Sequence, residues 1–243
     1  MASTTQAQTR PPSRPSRTLA VDIGGTGIKA LVLSATGKPL TERNRIKTPR
    51  PATPGAVITA IVGLAKAQGK FDRVSVGFPG VIRRGVTVTA PNLDGNWRHF
   101  KLAEILSKKL GKPVRAANDA DVQGFGAIKG QGVELVITLG TGFGSALFVD
   151  GRLVPNLEIA HHPFDRGQTY EEKLGDAARK KIGKKKWNKR LITAIATLEH
   201  AFNYDHLYIG GGNAQKIITR LPSNTRIVEN FAGLLGGIAL WRD

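Results

Sequence analysis

At 243 residues the chain is long enough for one large domain or two lobes of about 100–120 residues around a full core. It has no cysteine, which excludes disulfides, thiolate metal sites and a cysteine nucleophile, and which fits a reducing, cytoplasmic setting. Thirty-six Lys and Arg against 18 Asp and Glu leave a formal charge of +18. That field gathers polyanions, whether nucleic acid, acidic membrane or a phosphate polymer, without choosing among them.

The first 17 residues are rich in Ser, Thr, Gln, Pro and Arg and hold no apolar run that could serve as a signal-peptide core. Pro11, Pro12 and Pro15 argue against an amphipathic helix, so residues 1–17 are expected to form a disordered arm. No apolar run approaches the roughly 20 residues needed to span a bilayer, and no membrane helix is expected. Thr18 to Ile23 reads as a buried strand, followed by the glycine turn Gly24–Gly27 and a second strand, Ile28 to Leu33. Thr36-Gly37-Lys38 is a hairpin turn into a third strand ending near Lys47. Pro54 to Gly69 has helical spacing through Val57, Ile61, Leu64 and Ala65. Arg73 to Phe78 is another strand, ended by Pro79-Gly80. Phe100 to Leu110 is then a helix, Val114 to Ala117 a short strand and Asp119 to Lys129 a helix.

From Glu134 the pattern begins again. Leu135 to Leu139 is a strand, Gly140–Gly144 a glycine turn, Ser145 to Val149 a second strand, and Asp150-Gly151 a hairpin turn. A helix through Leu191, Ile195, Leu198 and Phe202 follows, then a strand Leu207–Ile209 and the loop Gly210-Gly211-Gly212. Phe231, Leu234, Leu235 and Ile238 stand at i, i+3, i+4 and i+7, which predicts a final amphipathic helix. Recurrence of strand, glycine turn, strand and hairpin implies two similar α/β lobes, each aiming a glycine turn at a cleft between them.

The chemistry sits at those turns. In Asp22-Ile-Gly-Gly-Thr26-Gly27 the glycines let backbone N–H groups approach an anion, and the Thr hydroxyl can donate to a phosphate oxygen. Asp22 at the strand end can hold Mg²⁺ through water. This is neither a Walker motif nor a dinucleotide fingerprint, because strand pattern follows the glycines. Leu139-Gly140-Thr141-Gly142-Phe143-Gly144 repeats the chemistry in the other half, and the pair makes jaws for a phosphate chain. Gly210-Gly211-Gly212-Asn213 can lie against a nucleotide base or present a helix start to phosphate. Asn118-Asp119 closes a strand and opens a helix, where an aspartate can accept a proton from an attacking hydroxyl or simply cap the helix. Asp121 is a second candidate for either role.

These segments together resemble the ROK family of sugar kinases. The resemblance rests on Asp22–Lys29 (DIGGTGIK), Gly77–Gly80 (GFPG), Asn118–Asp121 (NDAD), Leu139–Gly144 (LGTGFG) and Glu158–His161 (EIAH), in that order along the chain. Tyr170–Gly175, Gly183–Trp187 (GKKKW) and Tyr208–Ala214 (YIGGGNA) are similar to the branch of that family that phosphorylates glucose from inorganic polyphosphate.

The resemblance implies an α/β fold of two actin-like (ribonuclease H-like) lobes. Residues 18–117 with a C-terminal helix at 229–243 would form the first lobe, and 118–228 the second. It implies Mg²⁺-dependent transfer to the 6-hydroxyl of glucose from polyphosphate, with ATP left open as a further donor, and a homodimer. Asp119 matches the catalytic base. Asn118, Glu158, His161 and Glu171 match sugar-binding positions. Gly24, Gly25, Thr26, Gly27 and Lys29, with Gly140, Thr141, Gly142 and Gly144, fall on the phosphate loops, and Gly211, Gly212 and Asn213 on a nucleotide or polyphosphate loop. Asp22 falls at the Mg²⁺ position.

Two departures bear on this. Family members that carry a zinc loop build it from cysteines after the histidine, and this chain has none, so no structural zinc is expected. Ala160 replaces a family glycine beside His161, which leaves His162 as a second candidate. Repressor members carry an N-terminal helix-turn-helix, which 17 polar residues do not supply.

Arg179 to Arg190 holds eight cations and no acid. It is either a solvated helix face or, through Lys184, Lys185 and Lys186, part of a track for polyphosphate, whose length suits such a stripe better than the three phosphates of ATP. The alternatives at this level are a strictly ATP-dependent hexokinase, a nucleic-acid-binding protein on a sugar-kinase scaffold, and a non-catalytic actin-like sugar sensor. Against the second, only 6% of residues are aromatic, which leaves few stacking platforms.

Overall fold

The computed structural model of the chain describes residues 16–228 and 236–241. In chain order its first half runs β1 (Thr18–Ile23), β2 (Gly27–Leu33), β3 (Asn44–Lys47), α1 (Pro54–Ala67), β4 (Arg73–Phe78), β5 (Ile82–Arg83), β6 (Val86–Thr87), α2 (Leu102–Leu110), β7 (Val114–Asn118) and α3 (Asp119–Phe125). The second half runs β8 (Val133–Leu139), β9 (Phe143–Val149), β10 (Arg152–Val154), β11 (Pro163–Asp165), β12 (Gln168–Thr169), α4 (Tyr170–Leu174), α5 (Asp176–Ile182), α6 (Lys184–Phe202), β13 (His206–Gly210) and β14 (Thr225–Ile227). Short 3-10 turns cover Ala214–Lys216 and Gly236–Trp241.

Two five-stranded sheets have the same plan: β3-β2-β1-β4-β7 in one and β10-β9-β8-β13-β14 in the other. Each opens as an antiparallel meander, then adds two strands parallel to its first. The apolar runs of β1 and β8 lie at the centres of these sheets and are buried on both faces. A parallel step needs a crossover, which α1 and α2 provide in the first sheet and α6 in the second. Helix α1 starts from Thr53, whose side chain accepts from Ala56 N, with Pro54 in its first turn. It buries Val57, Ile61 and Leu64 into a core with Leu19, Val21, Val76, Phe78 and Trp97. Helix α6 buries Trp187, Leu191, Ile195 and Leu198 against Leu135, Ile137, Leu207 and Ile209.

Two segments cross between the sheets. Helix α3 leaves β7 of the first sheet and packs on β9 and β8 of the second. The turn Gly236–Trp241 packs back on β1 and β4: Ser75 Oγ donates to Gly237 O (2.5 Å), Trp241 Nε1 donates to Ser75 Oγ (2.8 Å), and the Arg115 guanidinium lies 4.6 Å from the Trp241 ring. This exchange holds the two sheets in apposition, with both glycine turns on the cleft.

The strands and long helices fall where the apolar pattern puts them, with differences at the ends. Helix α3 stops at Phe125 rather than Lys129. The reason is Glu134, fully buried, whose carboxylate accepts from Lys129 N (2.7 Å), Gly130 N (2.7 Å), Gln131 N (3.2 Å) and Tyr208 OH (2.9 Å). Those N–H groups are given to a side chain instead of to a further helical turn. The expected arm lies, through residue 15, outside the described residues. So does most of the expected final helix, including Phe231, Leu234 and Leu235. Among the described residues no helix is long and apolar enough to cross a membrane.

Candidate active site

A cleft of about 480 Å³ opens between the two sheets, and both glycine turns border it. The first turn, between β1 and β2, closes on itself through Gly24 N donating to Gly27 O (3.0 Å). Thr48 Oγ1 donates to Gly24 O (2.6 Å) and an Arg50 guanidinium nitrogen to Gly25 O (2.7 Å), so both carbonyls are engaged within the protein. Gly24, Gly25, Thr26, Asp22 and Lys29 line the cleft, with Lys29 Nζ 2.8 Å from Asp22 Oδ2. Gly27 stands just outside it, at the start of β2.

The second turn, between β8 and β9, is braced by other elements. Asp176 N, at the start of α5, donates to Gly140 O (3.0 Å), and Asn213 donates to Gly140 O through Nδ2 (3.1 Å) and to Leu139 O through its backbone N (2.9 Å). Gly211 takes a φ of +86°, and any Cβ there would meet the Leu139 carbonyl at 2.3 Å, so the loop requires glycine. At Gly142 a Cβ would press on the Glu171 carboxylate, so a side chain there would push that carboxylate aside. Gly140, Thr141, Gly142 and Gly144 line the cleft, as do Gly211, Gly212 and Asn213.

Asp119 lies between these loops. The strand β7 delivers it, and Asn118 fixes the helix start by accepting from Ala120 N (2.7 Å) and Asp121 N (3.4 Å). Among the described residues, Asp119 Oδ1 accepts from Ala120 N (2.8 Å). Its carboxyl is pushed up to about 8, first by burial, then by the charge of Asp22, with Glu158 and Asp121 adding smaller increments. Asp121 is also pushed up, to about 7, by burial and then Glu158, but it is 3% exposed and does not line the cleft. Of the two acids the cleft reaches Asp119.

The other wall carries a polar set. Ser145 on β9 donates to Leu157 O (2.7 Å) and accepts from Ile159 N (3.2 Å), clamping the backbone on both sides of Glu158. Asn118 Nδ2 then donates to Glu158 Oε1 (3.1 Å) and to Gly80 O (3.2 Å). With its Oδ1 also accepting twice, the Asn118 amide is fully engaged within the protein. Its place here is to hold Glu158, and a ligand hydroxyl reaching it shares that bond. Burial lifts the Glu158 carboxyl above its ordinary value; His161 beside it pulls the other way and Glu171 adds to the rise. Glu171 sits in the first turn of α4, whose start is fixed by a capping box between Thr169 and Glu172. Its backbone N donates to Ala160 O (3.0 Å), and its Oε2 accepts from Phe143 N (3.2 Å). Glu158, His161 and Glu171 all line the cleft; His162 does not, and its Nδ1 lies 3.3 Å from Pro163 O.

Lys184, Lys185 and Lys186 are exposed on the first turn of α6 and are not in the cleft lining. Arg179, from the same basic segment, is tied to Asp176 at 2.7 Å. Six cleft residues were not singled out by sequence reasoning: Pro91, Asn92, Gln123, Thr138, Ser145 and Asp176. Gln123 had a usable signal, since it follows Asp119 by one helical turn and shares its face. Asn92 sits in a loop with no periodicity and had none. Among the described residues no cluster of three or more His, Asp or Glu could hold a metal by itself. Asp22 with substrate phosphate oxygens fits Mg²⁺, which keeps several waters and takes one or two carboxylates.

Two duplicated β-sheet lobes with glycine turns facing across a carboxylate define an actin-like phosphotransferase fold. The chain belongs to the ROK family, whose model matches residues 18–158. It is 34% identical to the polyphosphate glucokinase of Mycobacterium tuberculosis, over 89% of this chain and 88% of that one. Among solved structures it is similar to the inorganic polyphosphate/ATP-glucomannokinase of Arthrobacter sp. strain KM, with a TM-score of 0.84, 35% identity, and coverage of 93% of this chain and 100% of that one. The ROK family glucokinase of Streptomyces griseus, solved with glucose and AMPPNP, shares the fold at 21% identity and a TM-score of 0.78.

Proposed function

We propose that this protein transfers the terminal phosphoryl group of inorganic polyphosphate to the 6-hydroxyl of glucose. The observation that carries this reading is the position of Asp119, between two anion-binding glycine turns on one side and Glu158, His161 and Glu171 on the other. Similarity to polyphosphate-using relatives over nearly the whole chain supports the choice of donor and acceptor.

Glucose is neutral and polar, and it is recognised by convergent donors and acceptors whose loss leaves a buried group unpaired. Glu158, His161 and Glu171 provide those groups, and Asn118 and Ser145 hold Glu158 in place. Thr26 and Thr141, with backbone N–H groups of the two turns, hold the terminal phosphates, and Lys29 faces the same space. Mg²⁺ held near Asp22 neutralises phosphate charge when bound. Asp119 takes the proton from the 6-hydroxyl. The glucose oxygen bonds to the terminal phosphorus, the bridging P–O bond breaks, and the shortened chain leaves with the bridging oxygen. A carboxyl raised toward neutrality suits this work, because a general base acts best with a pKa near the operating pH.

ATP is the second donor to weigh, because Gly211, Gly212 and Asn213 border the cleft beside the second turn. The deciding experiment offers purified protein glucose and Mg²⁺ with polyphosphate or ATP separately. Glucose 6-phosphate from polyphosphate is the expected result; product from ATP alone overturns the donor assignment. Lys184, Lys185 and Lys186 belong to this reading as a source of field that draws the polyanion in.

A further inference from the structure

Resting on the donor reading above, we propose that polyphosphate leaves the cleft over the edge of the first lobe, through a basic groove built on β3. A second cavity of about 470 Å³ adjoins the first glycine turn and shares Gly25 and Thr26 with the main cleft. Its other walls include Arg45, Lys47 and Arg50. A chain whose terminal phosphate lies on Gly25 and Thr26 therefore has a continuous way out past three cations.

Sheet register shows why these cations line up. Asp22 pairs with Lys29 across β1–β2, and Lys29 pairs with Arg45 across β2–β3. Residues directly opposite one another in an antiparallel pair share a face of the sheet. Asp22, Lys29 and Arg45 therefore form one row running from the Mg²⁺ position to the sheet edge, two strand spacings or about 10 Å long. Lys47 pairs with Gly27 in the next row on the same face. Gly27 matters to this row: a methyl there would lie 2.7 Å from Arg45 Nε, so the guanidinium rests where only glycine leaves room.

The charges differ in availability. Lys29 is paired with Asp22, and Arg50 with Asp94 at 3.2 Å. Arg45 and Lys47 are exposed and, among the described residues, face no carboxylate within ion-pair distance. The lining contains no aromatic ring on which a base could stack, so it suits a bare phosphate polymer better than a nucleotide or a single-stranded nucleic acid. Beside the opposite turn stands Asp176, which takes up the charge of Arg179 and Lys180.

The test compares wild type, Arg45→Gln/Lys47→Gln and the charge-keeping Arg45→Lys/Lys47→Arg with two donors, polyphosphate of tens of phosphates and tripolyphosphate. For the Gln pair, KM for the long chain should rise about tenfold and KM for tripolyphosphate much less, while the slope of log(kcat/KM) against log salt falls by about 1–1.5. The charge-keeping pair should restore most of the long-chain KM. Equal losses with both donors, an unchanged salt slope, or a rise confined to glucose KM overturns the groove. So does single-stranded DNA that competes as well as a polyphosphate of equal charge. Wild type that makes glucose 6-phosphate from ATP but from neither phosphate polymer overturns the donor reading itself, and the groove with it. Thermal melting identifies a misfolded double variant. The single variants are then read instead, each expected to give about a threefold KM rise and a slope change of about 0.7.

Discussion

In the first lobe the glycine turn is held from the loop after the edge strand, by Thr48 on Gly24 O and Arg50 on Gly25 O, and the space beyond it is open and basic. In the second lobe the corresponding turn is held from behind by α5 and the Gly211–Asn213 loop, and the space beside it is filled by Asp176, Glu171 and Phe143. The strand order is the same in both. What differs is the material inserted after the third strand. The first lobe proceeds to α1 within a short loop, whereas the second inserts β11, β12, α4 and α5 before α6. That insertion brings Glu171 and Asp176 to the cleft and orders the loop with Glu158 and His161. On the proposed reading, a duplicated scaffold supplies two anion turns, and one-sided elaboration gives one wall the sugar-binding groups and leaves the other for a long anion.

The largest effect should come from the residue on which both walls converge. Asp119→Asn removes the proton acceptor without removing volume and should lower kcat by about 10²–10⁴ while glucose affinity stays within about tenfold. A variant keeping more than a tenth of wild-type turnover would exclude Asp119 as the base. In wild type, kcat/KM for glucose should climb as pH rises toward about 8 and level off above it, because the free enzyme must lose the proton of a carboxyl raised by burial and by Asp22. Mg²⁺ and bound donor reposition the charges around Asp22, so the kcat profile should differ from that of kcat/KM. A flat profile between pH 6 and 9 on both parameters would separate the raised carboxyl from catalysis.

Next in size are tests that confine damage to the sugar wall. Glu158→Gln should raise KM for glucose by tenfold or more and leave KM for the donor within about twofold, since Glu158 lies on the second-lobe side of the cleft. Ser145→Ala should act in the same direction through position alone. It deletes the hydroxyl that fixes Leu157 O and Ile159 N, so Glu158 keeps its carboxyl and its bond from Asn118 but loses the clamp on its backbone. A loss of about threefold to tenfold in glucose kcat/KM is expected, with donor KM unmoved. Donor KM shifting more than glucose KM in either variant would dissolve the division of labour between the walls.

The two-lobe plan was legible because its strands are apolar runs ended by glycines, a signal strong enough to be seen twice. Most of the cleft was legible for the same reason, since Asp22, Asp119 and both turns sit at strand ends where pattern marks them. The elaborations were not. The hairpin β11–β12 is held by the turn Arg166-Gly167, both at positive φ, and by Tyr170 stacking on Phe164 at 4.6 Å, neither of which leaves a periodic trace. Sequence reasoning gave Asn118 a sugar contact, and the structure does place it on the cleft; what the sequence did not show is that its amide also bonds Gly80 O, Glu158 and the start of α3. It also singled out Lys184–Lys186, as a solvated face or a phosphate track, because density of charge is visible in a sequence. The spacing of Arg45 and Lys47 is ordinary for a strand, and only the register with Lys29 and Gly27 makes a row of them.

The smallest effect should come from that dense cluster. Lys184, Lys185 and Lys186 are exposed on α6 and outside the cleft lining, so the effect expected of them on polyphosphate is that of a field rather than a contact. Exposed charges act over about a Debye length, near 10 Å at 0.1 M salt and 3 Å at 1 M. Changing all three to Gln should therefore lower kcat/KM for long-chain polyphosphate by about twofold to fivefold at low salt, and by little at 0.5 M and above. Glucose KM should hardly move, because the sugar is neutral. The contrast with Arg45 and Lys47 is in the residual effect: contacts in a groove should still be missed at high salt, whereas a lost field should not. A triple-Gln variant whose deficit persists undiminished at 0.5 M would place α6 in direct contact with the chain and move the track to the second lobe. One indistinguishable from wild type at every salt concentration would reduce the cluster to a solvated helix face and leave the edge of the first lobe to guide the donor unaided.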